Sequence, residues 1–131
     1  MIAIVDTNFL IRYFVDSKTV GEESKAIFED QSTFLIVPSI VLFEMKYAID
    51  KGRFPIDILE CTLNLIKQGN CMSYPLEESL LDYLPKELDI HDGIIYATAA
   101  IQKKSFDETI HLLTKDKEIR ELKQDSVKIV W

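Results

Sequence analysis

An α/β fold built on a central parallel sheet is the architecture this sequence predicts, and three observations carry the prediction. Short, continuously apolar runs recur along the chain, longer amphipathic stretches separate them, and no repeat, low-complexity tract or Gly/Ser/Pro-rich linker breaks the alternation. Strands buried on both faces read as continuous apolar runs, and parallel strands need helical crossovers between them. The expectation is an α/β sandwich with a parallel sheet and right-handed crossovers. At 131 residues the chain has the size of one domain, 1–131, and can bury a core without disulfide or metal staples.

The elements follow in order. IAIV at 2–5 reads as the first strand, and a short helix follows near Phe9 to Phe14. A second helical pattern covers Val20 to Gln31 and leads into a strand, FLIV, at 34–37. Ser39 is a plausible N-cap for the next helix, Ser39 to Lys51, and Gly52 sits where a helix C-terminus favours a left-handed residue. Ile56 to Gln68 is helical by the same periodicity, with Gly69 in the corresponding terminal position. The third strand is CMSY at 71–74, followed by helical patterns at Glu77 to Leu84 and His91 to Lys104. IHLLT at 110–114, a helix over Lys115 to Lys123 and VKIVW at 127–131 complete the alternation.

Composition excludes several classes of function. Apolar residues form 47% and charged residues 28% of the chain, the balance of a folded globular protein. The longest uncharged stretch, Gln31 to Phe43, has 13 residues broken by Pro38, too short to span a bilayer. The opening MIAIVDTN has no basic n-region and reaches an acid at position 6, so a cytoplasmic protein is expected. Cys61 and Cys71 fit neither a disulfide framework nor a CxxC pair and read as small buried hydrophobes. Fifteen basic against 22 acidic residues give a net charge of -7, which opposes nucleic-acid binding through a broad basic face.

In such a sheet the strand C-termini gather along one edge, where α/β folds place ligands. Asp6 follows the first strand directly and could serve simply as a helix cap, as could Thr7 or Asn8. Glu44 lies in the apolar segment SIVLFEMKYAI, where a carboxylate is costly to bury without a neutralising partner; Lys46 and Lys51 are available to screen it. Asp92 opens an apolar helix in LDIHDGIIYATAAI, with Asp89 spaced as its capping partner. Asp116 begins the last helix just beyond LLTK, with Thr114 as the expected N-cap. Each acid has a local explanation. Four carboxylates at or near four strand-to-helix junctions would nevertheless repel one another, and all-oxygen donors suit Mg²⁺ or Mn²⁺.

IVDTNFLIRYF with Asp6, SIVLFEMKYAI with Glu44, LDIHDGIIYATAAI with Asp92 and LLTKDKEI with Asp116 together resemble the four acidic motifs of the PIN-domain nucleases, in order, spacing and total length. The resemblance covers essentially the whole chain. It implies a three-layer α/β/α sandwich with a central parallel sheet of about five strands, and a pocket that binds Mg²⁺ or Mn²⁺ and hydrolyses RNA. It makes Asp6, Glu44, Asp92 and Asp116 both the metal ligands and the catalytic set, Thr114 a polar helper, and Asn8 and Glu118 weaker outer ligands. Small single-domain members are similar to the VapC toxin of toxin–antitoxin pairs, which implies an antitoxin partner and a homodimer; others are stand-alone RNA-processing enzymes. Two positions depart from the pattern: Gly93 replaces a larger residue, which implies a more open pocket wall, and Glu118 stands where Asp is frequent.

Arg12, Lys46, Lys51 and Arg53 are candidates for tracking an RNA backbone, although each reads more readily as a solvated surface charge, and none is placed in the site. His91, at a helix N-terminus that disfavours imidazolium, is not expected to be a general base, and His111, inside a strand, still less. The aromatic residues, Trp131 among them, read as core or interface packing without a base-stacking pattern. Two other classes stand beside the nuclease. A response-regulator receiver requires an aspartate at the end of its third strand, and Asp50 and Asp57 sit in helix or turn contexts instead. A non-catalytic binding module would be marked by loss of one of the four acids, and all four are present.

Overall fold

The computed structural model describes residues 1–122 and 124–131. Its elements are β1 (Ile2–Val5), α1 (Thr7–Val15), a 3₁₀ turn (Ser17–Thr19), α2 (Glu22–Glu29), β2 (Phe34–Pro38), α3 (Ser39–Asp50), α4 (Asp57–Ile66) and β3 (Cys71–Tyr74). A 3₁₀ helix (Glu78–Tyr83), α5 (Ile90–Gln102), β4 (Ile110–Leu113), α6 (Lys117–Glu121) and β5 (Val127–Val130) follow.

The five strands form one sheet in the order β3-β2-β1-β4-β5, every neighbouring pair parallel. β1 and β4 are buried at all four positions, so the sheet is covered on both faces, as their unbroken apolar sequences require. The chain moves outward from β1 through β2 to β3, then returns across the sheet to β4 and β5. The direction of winding therefore reverses between β1 and β4, and in open parallel sheets the crevice at that reversal is where ligands bind.

Ile4, Leu112 and Leu113 in the sheet and Phe9, Met45 and Ile119 beneath it are fully buried. Phe9 sets an aromatic cluster, 5.0 Å from the Phe28 ring and 6.0 Å, edge-on, from Trp131, which ties α1 and α2 to the end of β5. Gly21 caps α2 so close to Trp131 that an added Cβ would lie 2.1 Å from the Trp131 carbonyl carbon. α5 is the most deeply buried helix, inaccessible from Gly93 to Gln102, with the small residues Ala97, Ala99 and Ala100 letting it pack closely.

Several local expectations are corrected. Ser39 is the first residue of α3 rather than its cap; Pro38 holds the N-cap position and supplies no side-chain bond. Among the described residues only Gly52 has positive φ, at 72°, so Gly69 closes its helix without a left-handed turn. Glu78–Tyr83 winds as a 3₁₀ helix, and α6 covers only Lys117–Glu121, with Lys123 outside the described residues. Cys61 is exposed, because it falls on the outward stripe of α4; Cys71 is buried as expected.

α3 ends in a tight turn. Gly52 N–H donates to Ile49 O and Arg53 N–H to Ala48 O, the paired bonds of a Schellman turn, whose left-handed residue must be nearly free of side-chain clash. This turn reverses the chain and brings Arg53 and Phe54 back beside α3.

Candidate functional site

A pocket of about 500 Å³ opens at the carboxyl edge of the sheet, over the reversal between β1 and β4. Asp6, Glu44, Asp92 and Asp116 all line it, contributed by four separate stretches of chain.

Asp6 is only 6% exposed. It is held at the end of β1 because its Oδ1 accepts the Phe9 N–H at 2.6 Å, capping α1. The Thr114 hydroxyl gives it a second hydrogen bond. Burial raises its pKa from 3.8 to about 6 against those two bonds, with added repulsion from Asp116 and Glu44. Thr114, fully buried, does not cap α6: its Oγ1 accepts the Asp116 N–H at 3.1 Å, while Asp116 itself caps the helix by accepting from Ile119 N–H at 3.0 Å. Thr114 therefore joins the two acids across neighbouring strands, a bridge closed to sequence reading because it depends on β1 and β4 lying side by side.

Asp92 sits in the first turn of α5, where its N–H donates to Asp89 Oδ1 at 3.0 Å. Among the described residues its own carboxylate accepts no hydrogen bond, and its pKa rises to about 7, first through burial and then through Asp116, Asp89, Glu44 and Asp6. Glu44 accepts from Thr7 Oγ1 at 3.0 Å and lies 3.4 Å from His91 Nδ1. The lysines expected to screen it are engaged elsewhere, Lys46 with Asp50 and Lys51 over the Tyr47 ring.

Asn8, His91 and Arg53 line the pocket; Glu118, Arg12, Lys46 and Lys51 do not. Gly93 does not line it either: an added Cβ would meet Leu84 at 3.3 Å, so the small residue serves packing beneath α5 and opens no pocket wall. His111 is buried in β4, its pKa lowered mainly by burial, far from a catalytic setting. Sequence reading missed the apolar half of the pocket, where Ile11, Ile40, Phe43, Tyr47 and Phe54 face the acids. As the side chains stand, no group of three or more His, Cys, Asp or Glu residues among the described residues is close enough to hold a metal ion.

The PIN domain family model matches residues 3–125. The chain belongs to the PIN domain family. No curated protein matches it closely. Among solved structures, this PIN-domain chain is similar in fold to VapBC2 from Rickettsia felis bound to a DNA fragment from their promoter, at 14% identity, with a TM-score of 0.66 over 99% of this chain and 98% of that one. Among the described residues no helix is long and apolar enough to cross a membrane.

Proposed function

We propose that this PIN-domain chain is a divalent-metal-dependent endoribonuclease, acting as the toxin of a toxin–antitoxin pair, with Asp6, Glu44, Asp92 and Asp116 as its metal-binding and catalytic residues. The observation that carries the reading is electrostatic. Four carboxylates from distant parts of the chain share one pocket, and two of them, Asp6 and Asp92, are pushed up partly by the charges of the others. Such a set is relieved by a cation, and a predominance of carboxylate oxygens, with His91 turned to Glu44, matches Mg²⁺ or Mn²⁺. When bound, the ion supplies Lewis acidity and positive charge toward a phosphate and a water.

The residues of the chain do the rest. Phe9 N–H and Thr114 fix Asp6; Thr114 also sets Asp116 through its backbone; Thr7 orients Glu44. His91 lies against Glu44 and acts as a positioning group for it. Arg53, held by the Gly52 turn, offers a charge to a phosphate entering the pocket.

An antitoxin partner is supported by the fold shared with VapBC2. Self-association is supported by the apolar surface of Leu76, Leu81 and Ile90, which stand exposed before and at the first turn of α5. The deciding experiment is cleavage of end-labelled single-stranded RNA by the purified protein with Mg²⁺ or Mn²⁺, with EDTA, and with Asp92→Asn. Cleavage that needs the metal and disappears in the variant is the expected result. Absence of cleavage together with absence of thermal stabilisation by Mn²⁺ sinks the metal site and leaves a non-catalytic binding module.

A further inference from the structure

β4 carries a titratable side chain that the pocket does not use. His111 is 9% exposed, and its Nδ1 is buried with no hydrogen-bond partner among the described residues. Its strand lies between β1 and β5, with Ala3 in register on one side and Lys128 on the other. Among the described residues four groups act on its charge: Lys128 and the Met1 amino group oppose an imidazolium, while Glu108 and a hydrogen bond to the Ile2 backbone favour one. The nearby acids are engaged, Glu108 by the Met1 amino group at 3.7 Å and Glu23 of α2 by Lys128 at 3.7 Å. Burial decides the balance and holds the imidazole pKa below its ordinary value of 6.5, so the ring is neutral at pH 7.5. β5 is an edge of the sheet and pairs with β4 alone.

We propose that His111 is a proton-operated latch on this edge: its imidazolium, opposed by Lys128 across the strand pair and cut off from water, releases β5 from β4. A like charge in register disfavours the protonated ring, and burial with one ring nitrogen unpartnered adds the cost of desolvating a charge. Opening the edge strand removes both costs at once, since Lys128 leaves with β5 and water reaches the ring. An edge strand also opens at lower cost than a central one such as β1, which is paired on both sides. The latch reaches the pocket through Thr114, whose N–H donates to Val130 O at 3.0 Å and whose hydroxyl donates to Asp6. Release of β5 therefore frees the residue that joins Asp6 to Asp116. This last step rests on the ribonuclease reading; the opening of the strand does not. The size of the effect is bounded, because a group that titrates freely at 6.5 in the open form alone favours that form by at most about tenfold at pH 5.5.

The test is amide hydrogen exchange of the intact protein in EDTA at pH 7.5 and pH 5.5, expressed residue by residue as protection factors, which remove the intrinsic pH dependence of exchange. Protection of the β5 amides and of Thr114 is expected to fall about 3- to 10-fold on acidification. Protection in β1 is expected not to fall, because protonation of Asp6 and Asp92 over the same range favours the metal-free fold. In His111→Gln, which cannot take the proton, β5 protection is expected not to fall either. Lys128→Gln alters an exposed side chain and is expected to fold as wild type and to show a smaller loss than wild type. Unchanged wild-type protection, an equal fall in β1, or a fall that persists in His111→Gln overturns the latch; should that variant fail to fold, an undiminished fall in Lys128→Gln overturns it. Mn²⁺ titrated at pH 5.5 is expected to bind wild type more weakly than His111→Gln, and equal binding overturns the step through Thr114. Absence of Mn²⁺ binding by wild type at pH 7.5 sinks the metal site, while the exchange result still decides the latch.

Discussion

Asp6→Asn is expected to make the metal-free protein more stable while abolishing its cleavage of RNA. Asp6 is almost wholly buried, and its folded pKa stands at about 6 against 3.8 for the free side chain, with burial as the main cause. A native-state carboxylate whose pKa is raised binds protons more tightly than the unfolded chain does, so stability falls as pH rises from about 4 to 6 and the full cost is present above that window. At about 1.4 kcal/mol per pH unit, the rise from 3.8 to about 6 corresponds to about 3 kcal/mol at pH 7.5. Asparagine retains the geometry, because its carbonyl oxygen accepts the Phe9 N–H and its amide can donate to the Thr114 hydroxyl. Because that shift is already net of the two hydrogen bonds to the charged form, the gain is about 3 kcal/mol, or roughly 10 °C in Tm for a domain of this size. The assay is thermal unfolding in EDTA at pH 7.5 and pH 4. The gain should shrink to less than about 1 kcal/mol at pH 4, where Asp6 is protonated in the folded state and only partly ionised in the unfolded chain. A variant no more stable than wild type at pH 7.5, or one equally stabilised at both pH values, refutes the argument.

Four further outcomes are expected from the same geometry. Asp92→Asn should remove RNA cleavage; in the wild type, affinity for Mn²⁺, read by titration calorimetry, should rise with pH between 6 and 8, because the cation must displace a proton from Asp92, and a pH-independent affinity would contradict this. Thr7→Val removes the hydrogen bond to Glu44 and should lower kcat several-fold with little change in denaturation midpoint, measured side by side. Gly52→Ala forces an L side chain into the left-handed turn and should cost about 1 kcal/mol by chemical denaturation, with KM for RNA rising as Arg53 is displaced. Gly21→Ala drives a methyl group into the Trp131 backbone and should cost more, about 3 kcal/mol, in the same assay with no direct effect on the pocket.

The sheet was legible because its central strands β1 and β4 are buried on both faces, and a run such as IAIV has no competing explanation at that length. Asp6, Asp92 and Asp116 were legible for a related reason: each directly follows a strand or opens a helix, and parallel topology carries such positions to one edge, while Glu44, farther into α3, stood out only as a carboxylate in an apolar segment. What the sequence concealed depends on choices among equivalent partners. Glu44 had lysines within reach on its own helix, yet Lys46 pairs with Asp50, Lys51 lies over Tyr47, and the groups that do meet Glu44 come from α1 and α5. Thr114 and Asp116 are both good N-caps, and only the neighbouring Asp6 decides that Thr114 turns toward the acids while Asp116 caps the helix. Phe43 and Tyr47 looked like core residues because periodicity cannot tell the stripe of α3 that meets the sheet from the stripe that faces a cavity.

Capping and chemistry are usually offered as rival explanations for an acid at a helix start, and this site separates them. Asp6 and Asp116 both cap helices, but asparagine caps as well as aspartate, so capping alone does not account for a buried charge at position 6 that the two hydrogen bonds fail to offset. Asp92 makes the point from the other side. Its backbone is what the Asp89 cap uses, while its carboxylate accepts no hydrogen bond among the described residues and suffers the repulsion of four other acids. Its place in the first turn of α5 gives it only the helix dipole to set against burial and that repulsion. The divalent cation of the proposed function would answer for both residues at once: it would relieve the repulsion, give the buried charge of Asp6 a partner, and weaken the negative field that a phosphate meets on entering the pocket.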